Sequence, residues 1–154
     1  IGWGAPELLH AGHVGSADAP HVAFDAQDNA MAVWCQTESG RRGVWTNRYA
    51  VGRGWGQATA IDAEVSGEAF EPHLVLDAKG RAIAAWERSD GAHTTVWANR
   101  FTPLNGWGAA APITNASTEN SNFVQLAMDA SGNAIALWKQ TEGARFCIWA
   151  SSFR

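Results

Sequence analysis

"DAKGRAIAAW" at residues 77–86 stands between two relatives of itself, "DAQDNAMAVW" at 25–34 and "DASGNAIALW" at 129–138. The step is 52 residues each time, and it runs through the whole chain. Trp3, Trp55 and Trp107 keep it, as do Trp34, Trp86 and Trp138, and Trp45, Trp97 and Trp149, which together are all 9 tryptophans. A fixed period of this length marks a repeat architecture in which each unit buries its apolar face against the next. Residues 1–154 therefore read as one module of three repeats, about 1–52, 53–104 and 105–154.

Within a repeat, four short apolar runs are separated by turn-forming residues, and helical periodicity is absent. In the second copy the runs are A at 72–77, B at 82–88, C at 95–101, and D at 55–61, which precedes A. The Asp77 to Arg81 connection reads as a hairpin on a type I turn, with Asp accepting backbone N–H bonds and Gly80 at positive φ. Asp28 stands where the other copies have Gly80 and Gly132, and Asp tolerates that conformation. Pairing B with C sets Trp34 opposite Trp45, Trp86 opposite Trp97 and Trp138 opposite Trp149, which favours the sheet. Pairing C with the next D sets Tyr49 near Trp55 and Phe101 near Trp107. The prediction is an all-β fold: a β-propeller with three four-stranded blades per chain.

Three blades make an arc, whereas rings close with about 4 to 8. The pattern predicts a D strand at 3–9 with no blade of its own and a third blade, 123–154, without its outer strand. The expectation is a homodimer forming one six-bladed ring, with the Trp3 strand of each copy completing the Phe153 strand of the other. The alternative is a set of repeats excised from a longer chain, and Ile1 in place of Met is read as upstream sequence removed.

Composition narrows the function classes. With 46% hydrophobic and 17% charged residues the chain is an ordinary globular domain. A net charge of −4 with scattered Lys and Arg excludes a nucleic-acid partner held by phosphate contacts. No apolar run approaches the roughly 20 residues of a membrane helix, so membrane insertion is not expected. Cys35 and Cys147 lack the spacing of a zinc site or redox pair and read as lone thiols. No cofactor is expected.

The order "P-H-[VL]-x-[FL]-D … A-x-A-x-W … V-W-x-N-R-[YF] … G-W-G" covers the chain and resembles the tryptophan-rich blades of bacterial and fungal β-propeller lectins. The resemblance implies a non-enzymatic, carbohydrate-binding protein, secreted or on a bacterial cell surface, with glycans as partners. It implies shallow sites between blades, with indoles stacking on sugars and polar groups bonding their hydroxyls.

Strand alternation puts the B to C and D to A loops on one rim of the ring. Its B to C loops carry Glu38, Asp90 and Glu142 beside the paired indoles, so the candidate ligand-binding residues are Glu38, Asp90, Glu142, Trp34, Trp45, Trp86, Trp97, Trp138 and Trp149. The plainer alternative is solvated hairpin acids over core indoles. Asn47 and Asn99, with Arg48 and Arg100, recur after the C-strand Trp but give way to Ser151 and Ser152, and they read as inter-blade hydrogen-bonding groups. His10 and His13 have a metal-compatible spacing but no recurrent Asp or Cys beside them, so no metal site is predicted. Asn115-Ala116-Ser117 is a glycosylation sequon. No singular catalytic constellation stands out; Glu64, Glu68 and Glu71 cluster in one copy only, and no catalytic residue is predicted. The rival readings are a protein-interaction scaffold or a propeller fragment of a larger secreted or surface protein and, more distantly, a glycosidase.

Overall fold

The computed structural model describes residues 2–10, 12, 15–62, 66–114 and 119–154. Among them, every regular element is a β-strand. The first sheet contains β1 (Ala17–Phe24), β2 (Ala30–Glu38), β3 (Arg41–Ala50), β4 (Gly54–Trp55) and β5 (Thr59–Ala60). The second contains β6 (Glu68–Leu76), β7 (Ala82–Ser89), β8 (Thr94–Thr102), β9 (Gly106–Trp107) and β10 (Ala111–Pro112), and the third β11 (Ser121–Met128), β12 (Ala134–Glu142) and β13 (Arg145–Phe153). All three are antiparallel meanders in chain order, and in the first two both short outer strands lie on the third long one.

Two differences from expectation concern the outer strand. It is split into two dipeptides, joined where Gly56 N–H donates to Arg48 O and Gly108 N–H to Arg100 O, both at 2.9 Å. The strand expected at 3–9 does not form: residues 2–8 carry no strand assignment, and Trp3 is fully exposed. A lone strand has no ladder to satisfy its backbone groups.

The turn chemistry follows the sequence reading. Asp77 Oδ1 accepts the N–H groups of Lys79 at 2.8 Å and Arg81 at 2.9 Å, and Asp129 does the same for Ser131 and Asn133. Asp28 has φ 60°, beside 72° for Gly80 and 86° for Gly132, so the Asp does take the glycine conformation. Burial pulls the Asp77 carboxyl upward, but the Arg81 N–H, the Arg81 guanidinium and the Lys79 N–H outweigh it and hold the group below the usual range. Trp34 and Trp45, Trp86 and Trp97, and Trp138 and Trp149 are direct cross-strand partners. Tyr49 meets Trp55, and Phe101 meets Trp107, each with ring centroids 5.6 Å apart.

The core lies between sheets. Met31, Val33, Cys35, Val44 and Ile61 of the first sheet pack on Leu74, Ala82, Ala84 and Trp86 of the second. Ala85 and Val96 of the second pack on Val124, Ala136 and Trp138 of the third. Alanines at these strand positions let the large indole lie flat in the gap. Polar brackets add direction: Asn99 Nδ2 donates to Ile61 O and Gly108 O, both at 2.9 Å, and so ties the outer strands of consecutive sheets. Asn47 repeats this with Leu9 O at 3.0 Å and Gly56 O at 3.1 Å, so both asparagines are inter-unit groups. Buried Asp62 pairs with Arg41 of its own sheet and Arg88 of the next, each at 3.0 Å.

Trp86 is wholly enclosed between two sheets, whereas Trp149 is 37% exposed on the last one. Trp86→Ala should therefore cost about 3–5 kcal/mol by urea denaturation, and Trp149→Ala about 1 kcal/mol, at concentrations low enough for the single chain. Equal losses would contradict this placement of the core.

Candidate functional site

The first strand of each sheet carries the same irregularity. Pairing slips between Asp18 and His21, between Phe70 and His73, and between Asn122 and Gln125. At each slip a non-glycine residue takes positive φ: Ala19 at 50°, Glu71 at 45° and Phe123 at 59°. Pro20 and Pro72 follow in the first two copies and have no N–H to give the ladder, so an unpaired residue there loses less than elsewhere. A left-handed non-glycine residue costs on the order of 1–3 kcal/mol, and its recurrence in three copies makes the bulge a built feature.

The bulged strands pack on one another in turn, β1 on β6 and β6 on β11, and side chains just past the bulges meet there. The rings of His21 and His73 lie 5.1 Å apart, and Gln125 Nε2 is 3.4 Å from His73 Nε2. These three residues occupy one repeat position in three sheets and form a polar row. Burial lowers the His73 pKa, the neighbouring His21 lowers it further, and Glu71 opposes both.

Two carboxylates stand beside this row. Glu71 is the bulge residue itself and is exposed. Glu87, on β7, reaches into the third sheet, where its Oε1 accepts the N–H of bulge residue Phe123 at 2.6 Å. Burial raises the Glu87 pKa and Glu71 adds to the rise, against the Phe123 N–H and the Lys139 ammonium. Its counterparts differ: Cys35 Sγ donates to Ala69 O at 3.3 Å, and Lys139 Nζ lies 4.5 Å from the Phe123 ring. Burial pushes the Cys35 thiol up to about 12, which rules it out as a nucleophile at neutral pH.

The residues expected to bind ligand are divided among different environments. Trp86 and Trp138 are sealed between sheets, Trp34 is buried at the wall of a cavity shared with Leu9, His10 and Pro20, and Trp34 and Trp138 spend their Nε1–H on Gln36 and Gln140. Trp45 and Trp97 are half-buried, and Trp149 is exposed. Glu38 is half-buried, while Asp90 and Glu142 are exposed at hairpin ends. Asp90 accepts the His93 and Ala92 N–H groups of its own turn, each at 2.8 Å, which lowers its pKa. Glu142 lies 4.0 Å from Arg145 and accepts a hydrogen bond from Cys147. Glu71, from the one-copy acidic group, acts electrostatically on His73, whereas His13, Glu64 and the 115–117 sequon lie outside the described residues. Among the described residues no group of three or more His, Cys, Asp or Glu is arranged to hold a metal ion. Sequence reasoning missed Glu87; the available signal was an acid at a repeat position held elsewhere by Cys35 and Lys139.

No protein-family model matches the sequence, and no curated protein matches it. Among solved structures, the chain is similar to an endo-arabinase from Bacteroides thetaiotaomicron VPI-5482, with a TM-score of 0.57 and 14% identity. The match covers 95% of this chain and 60% of that one. At that identity the likeness speaks for the fold. It nevertheless corrects the reading of a non-enzymatic sugar-binding protein: the architecture is shared with a protein named as an enzyme, and two of the six indoles assigned to sugar stacking, Trp86 and Trp138, are sealed between sheets.

A carboxyl whose pKa is raised on folding adds stability that is complete below its unfolded value and is lost as pH climbs through the folded one. Glu87→Gln removes that loss and leaves an oxygen for the Phe123 N–H. The stability of Glu87→Gln relative to the parent should therefore grow between pH 4 and pH 7 in urea titrations; a flat difference would refute the raised carboxyl.

Proposed function

We propose that this chain forms three blades of a β-propeller that hydrolyses glycosidic bonds at the axial mouth, and that a second copy completes a six-bladed ring. What supports the catalytic reading is that two carboxylates belong to successive bulges, Glu71 as the second bulge residue and Glu87 as the acceptor of the N–H of the third, Phe123, next to the His21, His73 and Gln125 row. Glycoside hydrolysis needs two carboxyl groups in different protonation states, one to protonate the leaving oxygen and one to activate water or attack the anomeric carbon. Glu87 suits the acid: burial keeps its proton to higher pH, and the Phe123 N–H occupies Oε1, so the proton resides on Oε2. Glu71, exposed at the bulge, suits the base or nucleophile. A neutral His73 with His21 and Gln125 supplies donors and acceptors for sugar hydroxyls. The endo-arabinase likeness supports this choice of chemistry and suggests arabinose-containing chains as the first substrate class.

The test is release of reducing ends from a polysaccharide panel that includes arabinan. Glu87→Gln should lower kcat by about 10²–10⁴-fold while the fold survives, and Glu71→Gln should fall in the same range. No release from any polysaccharide, or full activity in both variants, would leave the protein-scaffold reading in its place. The ring reading has its own measurement: light scattering at micromolar concentration should give twice the mass of one chain, and a single-chain mass would overturn it.

A further inference from the structure

We propose how the second copy docks: the leading face of the third sheet receives the trailing face of the partner's first sheet. The partner's residues 3–9 supply the outer strand, and Lys139 pairs with the partner's Asp18 at the axial mouth. This rests on the ring reading above and specifies the surface that makes it.

The two end faces carry the pattern that is buried at the two internal junctions. Val44 and Val96 are completely buried, while their counterpart Ile148 is 74% exposed. Val33 and Ala85 are likewise buried, and Leu137 in the same position is 43% exposed. At the other end Val22 is 55% exposed where Leu74 is 1% exposed. Ile135, Phe146 and Phe24 extend the two patches. Exposed apolar area of this extent on both ends of an arc marks an interaction surface, and the internal junctions define its partner: a face built like the first sheet's.

The end of the 3–9 segment is already in position. Asn99 Nδ2 bonds Ile61 O, the end of the preceding outer strand, and Asn47 Nδ2 bonds Leu9 O in the same way. Leu9 thus sits where the outer strand of a preceding sheet ends, with no preceding sheet beside it. The internal registers are Tyr49 with Trp55 and Trp45 with Ala60. Moved by one repeat, they put Phe153 opposite Trp3 and Trp149 opposite Leu8 of the partner copy. Trp3, Leu8 and Phe153 are all exposed in the single chain.

Charge gives the junction its specificity. The position shared by Cys35, Glu87 and Lys139 contacts the bulged strand of the next sheet, at Ala69 for Cys35 and at Phe123 for Glu87. The equivalents at the closing junction are Ala17 and Ala19, which flank Asp18. Lys139 already lies 4.4 Å from the Phe146 ring, the counterpart of Arg42, and Arg42 stacks on Phe70, the counterpart of Asp18. Asp18 Oδ1 is held by Arg42 of its own chain at 2.5 Å, so Lys139 joins a carboxylate that already has one cation, as Arg88 joins Arg41 on Asp62.

Two measurements test this. Lys139→Glu and Ile148→Asp should each weaken the dimer at least about tenfold in sedimentation equilibrium; a dimer unchanged by either would overturn the docking. With Trp3→Cys and Phe153→Cys in one chain, oxidation should give an inter-chain disulfide that neither single variant gives. A crosslink within one chain, or a mass above two chains, would overturn the strand exchange. Each of these readouts is independent of glycan turnover, so an inactive dimer would reject the catalytic reading alone and an active monomer the docking alone.

Discussion

Each sheet in this protein is stable only because another sheet covers its face. A four-stranded meander of about 50 residues buries too little apolar surface to offset the entropy of ordering its backbone. Face-to-face packing supplies the remainder: Met31, Val33 and Val44 on one side of a junction meet Trp86, Ala82 and Ala84 on the other. The tryptophan is large enough to fill the gap and the alanines small enough to leave it room. The asparagine brackets and the Arg41–Asp62–Arg88 group then set one angle between sheets, because buried polar atoms tolerate no slippage.

The same packing produces the polar row. The sheets pack with their first strands together, β1 on β6 and β6 on β11, so a residue repeated on those strands meets its own copies. The bulge turns this into a site. It interrupts the ladder, frees the Phe123 N–H for Glu87, and leaves Glu71 exposed at positive φ. Strain that would be a defect on a solitary strand is held in place by the sheets on either side.

The repeat also explains why a nearly symmetric scaffold supports one asymmetric site. Position 35, 87 and 139 holds a thiol, a carboxylate and an ammonium in turn, in nearly the same backbone setting. Only the middle copy has an acid there with a second acid, Glu71, on the neighbouring bulge. Divergence at a few axial positions leaves the core pattern of Trp, Ala and Val untouched, so chemistry can change without altering the fold.

The sequence alone determined the period, the strand order, the Trp–Trp registers and the Asp-initiated turns, down to Asp28 in a left-handed conformation. These follow from alternation and from local backbone sterics, which act over a few residues. It also pointed to Asn47 and Asn99 as links between units. It misdirected the site toward the indoles, because a tryptophan on a strand reads the same whether its face meets a ligand or another sheet. Glu87, His73 and Gln125 are 14 to 52 residues apart along the chain, and nothing local ties them together. Only the packing of sheet on sheet decided that they come near one another, which face of each sheet is buried, and that residues 3–9 stand without a partner strand, since these depend on contacts between segments whose spacing records no direction.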